Sequence, residues 1–353
     1  MSSIRRFAAI NTKVRVLKGQ MLTQDDFKNL LSKKSVDEVV TYLKEHTHYN
    51  KILADKDVAE IHRRDLEMLL KKYVIIQYEK LIHYFTEEYR KLFRIMFIRY
   101  EIEDIKLYLR AVARNESLDA VRKLVVYSGI YSTVNHEVLV HSKTIEDFVN
   151  NLKETIYYDV LKPFTNESGT KLLFYVEMSL DKLYFKMLYN QSEKLDRKDE
   201  EAFKILLGKN IDLFNLEWIY RGLKFFKLSP EELINYTIMN GYSLKYNTIK
   251  ELCYSKNENE LINRMIDTRY GFLFDNAYTL DLFMERRIER YLYFQFVDYY
   301  HKGKMDIITA IVYMHLLEYE MRDIISITEA IRYGLNENEI SKYLIRRIKG
   351  SDE

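Results

Sequence analysis

Glycine and proline, the residues that most often interrupt regular structure, are scarce along this chain. The 353 residues include 10 glycines and 2 prolines, and neither type occurs between Gly19 and Gly129. Hairpins and sandwiches need turn residues about every 8–12 positions, so this spacing disfavours strand-rich folds. From Leu66 to Phe85 the apolar residues recur with a helical period of about 3.6 residues. The sequence therefore predicts an all-α fold.

Three stretches are each long enough for a pair of long helices. They are residues 57–114, 170–226 and 278–333. The charged segment Ser192–Glu201 is expected to form a surface turn within the second stretch.

The overall composition limits the classes of protein to which the chain can belong. Hydrophobic residues make up 47%, enough for a globular core, and the formal net charge of +2 gives no electrostatic reason to expect nucleic acid. The single cysteine, Cys253, indicates a reducing compartment. The N-terminal segment lacks the apolar stretch of a signal peptide, and no stretch reaches the ~20 apolar residues of a membrane span. We expect a soluble or peripheral protein.

Internal similarity is the strongest signal in the sequence. In one short segment a Thr, Ser or Asn precedes an acidic residue by three positions, the pattern of a helix capping box. The three copies are Leu22–Phe27, Leu228–Leu233 and Leu335–Ile340. Ser117 is expected to begin a weaker version.

A second repeated element is a short amphipathic helix. Val36–Glu45 matches Ile145–Glu154, and Glu260–Asp267 is a looser third copy. A tyrosine follows each copy at a similar distance: Tyr49, Tyr158 and Tyr270.

The third element ends each long stretch with an acid, two variable residues, an Asp or Asn, and an Ile or Leu. A small residue follows six positions after the Ile or Leu. The acids are Glu101, Asp212 and Glu320, and the fourth positions are Asp104, Asn215 and Asp323. The fourth positions lie 111 and 108 residues apart. Three elements recurring in one order at one spacing indicate that a helical unit was copied three times.

We therefore divide the chain into three similar helical subdomains and a closing helix. Residues 1–114 form the first repeat, 115–226 the second, 227–334 the third, and 335–353 a capped C-terminal helix. That last helix begins a further unit and is expected to pack on the first repeat, closing the array.

Known patterns for chemistry are missing from the sequence. A phosphate-binding loop needs closely spaced glycines, but the closest pair, Gly208 and Gly222, is fourteen residues apart. His46 and His48 lie close together without the spacing of a metal motif, so we expect no metal ion or other cofactor. Cys253 lies on a predicted helix and is expected to be buried.

The repeated acids have three possible roles. They could be paired catalytic carboxylates, as in a hydrolase, structural groups that cap helices or pair with the arginines that follow, or contacts to a partner. Three near-copies make a poor single active site, which favours the structural role. The candidate structural or partner-interface residues are Glu101, Asp104, Arg110, Asp212, Asn215, Arg221, Glu320, Asp323 and Arg332.

Basic residues dominate the N-terminal segment. Arg5, Arg6, Lys13, Arg15 and Lys18 all precede the first acid at residue 25. This run could lie near anionic lipid headgroups or be a solvated helix face.

These segments together resemble the C subunits of V/A-type rotary ATPases, whose eukaryotic counterpart is the d subunit. The opening FAAINTKVRVLKGQMLT, the middle copy NIDLFNLEWIYRGLKFFKLSPEELINY and Leu317–Leu344 carry the resemblance. Thr328 and Glu329 stand where the family pattern is rich in arginine.

The resemblance implies a fold and a function. Family members form a funnel of three helical subdomains around a pseudo-threefold axis. They connect the axle subunits D and F to the membrane proteolipid ring at the cytoplasmic face of the cell membrane, and they transmit torque between ATP chemistry and proton or sodium transport. Such a subunit is not an enzyme and has no small-molecule substrate. A helical-repeat scaffold for other proteins, outside a rotary ATPase, remains the alternative interpretation.

Overall fold

The computed structural model describes residues 3–126, 129, 131–165, 171–275 and 280–348. Within these ranges the chain forms α-helices joined by loops and short 3₁₀ turns, and no strand occurs. The all-α prediction is confirmed. The helices are α1 (Ser3–Gly19), α2 (Gln24–Leu31), α3 (Val36–His46), α4 (Asn50–Leu53), α5 (Arg63–Ile82), α6 (Glu87–Ala113), α7 (Leu118–Arg122), α8 (His136–Leu139), α9 (Ile145–Asn150), α10 (Tyr158–Leu161), α11 (Leu172–Ser192), α12 (Arg197–Arg221), α13 (Pro230–Tyr236), α14 (Tyr246–Cys253), α15 (Glu258–Met265), α16 (Leu280–His301), α17 (Ile307–Arg332) and α18 (Glu337–Lys342).

The three predicted pairs of long helices are present as α5 with α6, α11 with α12, and α16 with α17. Two predicted stretches begin at Thr170 and Tyr278, and residues 349–353 end the last predicted segment; all of these lie outside the described residues. The turn between α11 and α12 is shorter than expected. Arg197 already begins α12, whose first turn carries Asp199 and Glu200, acids that suit a helix N-terminus.

The second helix of each pair ends in the same way. A left-handed backbone conformation occurs two residues after α6 and α17, at Asn115 and Gly334, and at Lys227 directly after the π-helical turn Gly222–Phe226 that extends α12. The following amide then donates to the carbonyl of the repeated small residue: Ala111 at 2.9 Å, Gly222 at 3.1 Å and Ala330 at 3.1 Å. A Cβ on Gly222 would lie 2.5 Å from a Leu233 methyl carbon. The chain therefore turns back so closely that only a small residue fits.

The short helices that follow are capped as predicted. Thr23, Ser229 and Asn336 each form a capping box at the start of α2, α13 and α18. The short helix expected after Ser117 is present as α7, but the Ser117 side chain makes no capping bond.

The described residues divide into two compact units. The first unit joins residues 1–84 to residues 276–353. Its centre is α17, which is buried along most of its length and packs against α16, α5, α1 and α3. Since α17 is apolar on nearly all sides, it can be stable only when other helices surround it.

The second unit comprises residues 85–275. Helices α6 and α11 pack along each other, and Ile105, Phe148 and Leu180 belong to one apolar core that α6, α9 and α11 share. Helix α12 contacts α11 and α14, and α13 packs on α14. Among the described helices of both units, none combines the length and the apolar character needed to cross a bilayer.

Candidate functional site

The first repeated acid, Glu101, lies on α6 and is 1% exposed. One carboxylate oxygen accepts hydrogen bonds from the Ser132 hydroxyl and the Thr133 amide, both at 2.7 Å. The other oxygen accepts from the Thr133 hydroxyl at 2.7 Å and the Tyr157 hydroxyl at 2.6 Å. Glu101 therefore fixes the loop before α8 and the residue before α10.

The second acid, Asp212 on α12, has an equivalent set of partners. It accepts from the Ser243 amide at 2.6 Å, the Leu244 amide at 3.2 Å and the Tyr270 hydroxyl at 2.7 Å. A Cβ on Gly241 would lie only 2.0 Å from an Asp212 carboxylate oxygen. A glycine is needed here because the loop approaches the carboxylate so closely.

The third acid, Glu320 on α17, draws its partners from the other end of the chain. It accepts from the Leu22 amide at 2.8 Å and the Tyr49 hydroxyl at 3.1 Å. We call each acid, with the loop amides and the tyrosine that it binds, an acid node. Node 1 is built on Glu101, node 2 on Asp212 and node 3 on Glu320.

The fourth residue of each motif lies about one helical turn after the acid. It binds a later segment of the chain. Asp104 accepts from the Val126 amide at 3.2 Å, and Asn215 exchanges two hydrogen bonds with the backbone of Ile238. Asp323 accepts from the Ile345 amide at 2.6 Å and from the Arg346 guanidinium at 2.7 Å. The partners lie 22, 23 and 22 residues after the motif. The predicted correspondence around residues 104, 215 and 323 is therefore visible in their hydrogen bonds.

Burial dominates the electrostatics of nodes 2 and 3. Burial raises the pKa of Asp212, against the hydrogen bonds from Ser243 and Tyr270. Burial raises the pKa of Glu320 to about 7, although the Arg346 charge and the Leu22 amide favour its ionised form.

The pKa values of two aromatic side chains beside Glu320 are also shifted. Burial, together with the Glu320 charge, raises the pKa of Tyr49 well above its usual value. Burial lowers the pKa of His48 to about 4, so its ring, 3.6 Å from Glu320, is neutral at neutral pH. Node 3 is therefore a dry environment in which a full negative charge is costly.

The tyrosines of the nodes are Tyr49, Tyr157 and Tyr270, and this corrects the sequence assignment of Tyr158 to the second place. Each tyrosine immediately precedes a short helical turn, so its side chain points back to the acid. In each copy a threonine two residues earlier accepts from the tyrosine amide at 3.2–3.3 Å. These threonines are Thr47, Thr155 and Thr268. The Thr-x-Tyr pattern was the sequence signal that distinguishes Tyr157 from its neighbour.

The three candidate arginines lie apart from this buried set. Arg110 forms an ion pair with Glu177 at 2.7 Å. Arg221 pairs with Glu217 at 3.5 Å, and Arg332 pairs with Glu329 at 3.8 Å. All three side chains are at least 40% exposed, so they are accessible to a partner.

Two buried charge pairs were not anticipated from the sequence. Lys106 on α6 contacts Asp181 on α11 at 2.6 Å, and Arg346 contacts Asp323. Burial lowers the pKa of Lys106, but the carboxylates of Asp181 and Glu103 outweigh it, and the net shift is upward. No local pattern identifies such pairs, because their members lie on different segments of the chain.

The geometry suits a structural role for the six buried motif residues. Every acid is 4% exposed or less and accepts a hydrogen bond from a backbone amide, and the other donors are side-chain hydroxyls or the Arg346 guanidinium. Cys253 is buried as predicted, and burial raises its pKa to about 12, far from the thiolate form that a nucleophile needs.

Comparison with known proteins finds a family whose sequence model matches this chain. The sequence model described as ATP synthase (C/AC39) subunit matches residues 10–343. Three similar archaeal proteins are named as the C subunits of A-type ATP synthases. The protein of Methanosarcina mazei is 27% identical over 81% of this chain and 78% of its own length. That of Methanosarcina acetivorans is 25% identical over 87% of this chain and 84% of its own length. That of Methanosarcina barkeri is 26% identical over 79% of this chain and 76% of its own length.

Proposed function

Because the chain belongs to the family of ATP synthase (C/AC39) subunits, we propose that it is the non-catalytic rotor subunit of a V/A-type rotary ATPase. In this role it connects the axle subunits D and F to the membrane proteolipid ring. It transmits torque between ATP hydrolysis or synthesis and proton or sodium transport, at the cytoplasmic face of the cell membrane. The family match over residues 10–343 is the observation that carries the proposal.

A torque-transmitting part must resist deformation, and the acid nodes support this requirement. Each node ties the last long helix of one predicted repeat to a loop and a short helix of the next through a buried carboxylate, and node 3 ties the third repeat to the first, so adjoining repeats cannot slide independently. We propose three such repeats around a pseudo-threefold axis, forming a funnel, with divisions near residues 114, 226 and 334. The six buried motif residues then act structurally, and the exposed arginines Arg110, Arg221 and Arg332 are candidate partner contacts.

The first test is assembly. The tagged chain, expressed with the D and F subunits and a proteolipid ring, should co-purify with both in one complex. Co-purification with neither would overturn the rotor proposal. If the chain instead captured unrelated proteins, the scaffold alternative would gain support.

A second test concerns coupling. Membranes that lack the chain should keep ATP hydrolysis by the catalytic part but lose ATP-driven ion uptake, and the wild-type chain should restore uptake. Arg221→Glu and Arg332→Glu should restore less uptake than wild type at equal expression. Arg197→Glu is the matched control, since Arg197 also forms an exposed pair four residues along α12, with Glu201. Normal coupling in both test variants would exclude these two arginines as partner contacts.

A further inference from the structure

One surface cavity of the first unit is lined by basic residues. It has a volume of about 330 Å³ and lies between α1 and the turn that joins α16 to α17. This volume is at the lower end of the roughly 300–1,000 Å³ of small-ligand pockets. The lining residues are Arg15, Tyr300, His301, Gly303, Lys304 and Thr309. None of these described lining residues is acidic, and three are basic.

The basic side chains are held by a turn of defined conformation. Arg15 donates through Nη2 to the Gly303 carbonyl at 3.3 Å, which leaves other N–H groups of its guanidinium for a ligand. Gly303 has φ +64°, a left-handed conformation that a residue with a side chain rarely adopts. The Thr309 hydroxyl donates to the Lys304 carbonyl at 2.8 Å, and the Lys304 ammonium lies 5.3 Å from the Tyr299 ring centre. The backbone of the turn, and the contact of Arg15 with it, are therefore set by the fold.

The two acids nearest in sequence are outside the described lining and have partners of their own. Asp306 accepts from the Tyr299 hydroxyl at 2.6 Å and from the Thr309 amide at 3.2 Å, where it caps α17. Asp298 pairs with Lys302 at 2.7 Å. Bringing Arg15 and Lys304 to one cavity without an acid in its described lining leaves a positive potential there, which an anion would relieve.

The excess of basic residues is not shared by the turn between α11 and α12. The corresponding turn between α11 and α12, residues 193–196, carries Glu193 and Asp196 and thus has mixed charge. The basic lining is therefore not a requirement of the repeated fold.

We propose that this cavity is a binding site for a phosphate group, with Arg15 as the forked donor, Lys304 as the flanking cation and the His301 ring beside them. A planar guanidinium matches two phosphate oxygens at once, and an ammonium contributes a point charge. The phosphate could belong to a phospholipid headgroup or to a soluble phosphate. The site does not depend on the rotor function proposed above, and either proposal can fail alone.

The test uses the full chain and inorganic phosphate, with chloride at matched ionic strength as reference. The amide signal of Gly303, followed by nuclear magnetic resonance, should shift and saturate with phosphate. The variant Arg15→Gln/Lys304→Gln should weaken the apparent affinity by about tenfold or more, the usual effect of losing charge-assisted hydrogen bonds. Lys302→Gln is the matched control, because it removes a positive charge from the same turn outside the cavity, and it should change the affinity less than about twofold. Circular dichroism checks that each variant is folded.

Vesicles of phosphatidylcholine, with and without phosphatidylglycerol, identify the source of the phosphate. Flotation with the anionic vesicles alone, reversed by inorganic phosphate and lost in the double variant, would assign the site to a lipid headgroup. Saturable binding of phosphate without flotation would assign it to a soluble phosphate. The absence of a saturable shift in the wild-type chain, or an equal loss in Lys302→Gln, would overturn the proposal.

Discussion

Nodes 1 and 2 are closed by neighbouring sequence, whereas node 3 joins the two ends of the chain. Glu101 and Asp212 each bind an amide 32 residues further along, at Thr133 and Leu244. Glu320 binds Leu22, which is 298 residues away. The segment that follows the motif in the first two copies is thus supplied, in the third, by the N-terminal part of the chain. The entropic cost of closing a longer loop grows only slowly with its length, so a node of this kind can be as stable as a local one.

The nodes also differ in charge. The fourth position of node 2 is the neutral Asn215, which both donates to and accepts from the Ile238 backbone. The fourth position next to node 3 is Asp323, which accepts from the buried Arg346, and this guanidinium stacks 3.6 Å from the Phe27 ring centre. The contact made by Asp323 therefore depends on a buried charge pair, whereas the contact between Asn215 and Ile238 does not.

Exchanging the two fourth positions gives the largest expected effect. Asp323→Asn leaves Arg346 buried without a carboxylate, and removing one member of a buried pair typically costs about 3–5 kcal/mol of unfolding free energy. Asn215→Asp removes the donor to the Ile238 carbonyl and should cost about 1–3 kcal/mol. Urea unfolding followed by circular dichroism measures both. If Asp323→Asn lowered the unfolding free energy no more than Asn215→Asp, the buried charge pair would not distinguish the contacts at these two positions.

The pH dependence of stability should also separate node 3 from the others. The pKa of Glu320 is about 7 in the folded chain and near 4.5 without its surroundings. Between these values the folded chain holds a proton that the unfolded chain has lost, so stability falls as pH rises through this window. The loss should be on the order of 3 kcal/mol. Glu320→Gln, which stays neutral beside Arg346, should flatten the unfolding free energy measured from about pH 5 to 8.

Asp212→Asn provides the comparison for this experiment. Because burial also raises the pKa of Asp212, this variant should remove part of the same downward slope. A slope near neutral pH that persists in Glu320→Gln would show that another group causes it.

Removing the tyrosine hydroxyls should have smaller effects, again unequal between the nodes. Tyr157→Phe and Tyr270→Phe each remove a hydrogen bond of 2.6–2.7 Å to a buried carboxylate and should cost about 1.5–3 kcal/mol. Tyr49→Phe removes a bond of 3.1 Å to a carboxyl that is partly protonated at neutral pH, so about 0.5–1.5 kcal/mol is expected. Thermal and urea unfolding measure how the losses of stability in the three variants are ordered.

Tyr158→Phe is a control one residue away from Tyr157. The Tyr158 ring is partly buried and lies under Lys162, so loss of its hydroxyl should change stability by less than about 0.5 kcal/mol. An effect as large as that of Tyr157→Phe would contradict the assignment of Tyr157 to node 1.

The sequence predicted those features that local residues determine. Helix, capping boxes at Thr23, Ser229 and Asn336, and the repeated acids all depend on spacings of a few residues, and each is present. The small residue after each acid was also recognisable, although its reason, the close return of the chain at Gly222, required coordinates.

The partners of the acids were beyond the reach of sequence patterns. Leu22 and Glu320 are far apart in sequence, and a backbone amide donor carries no side-chain signal at all. Arg346 was missed for a similar reason, since it stands among several basic residues and its burial depends on packing around α17. The error of one residue at Tyr158 arose because Tyr157 follows the start of α9 at Ile145 by 12 residues, whereas Tyr49 follows the start of α3 at Val36 by 13.

The smallest expected differences concern the caps of the short helices that follow the three motifs. Ser229→Ala removes a side-chain capping bond at the start of α13 and should cost about 1 kcal/mol, and Asn336→Ala should cost a similar amount at α18. Ser117→Ala should cost close to nothing, because the Ser117 side chain makes no capping bond at α7. Urea unfolding of these three variants tests what stabilises α7, the short helix after the first motif. Its stability comes either from the Ser117 cap or from the buried contacts of Leu118 and Val121. An equal loss in Ser117→Ala would mean that the Ser117 side chain stabilises the start of α7 as Ser229 and Asn336 stabilise α13 and α18.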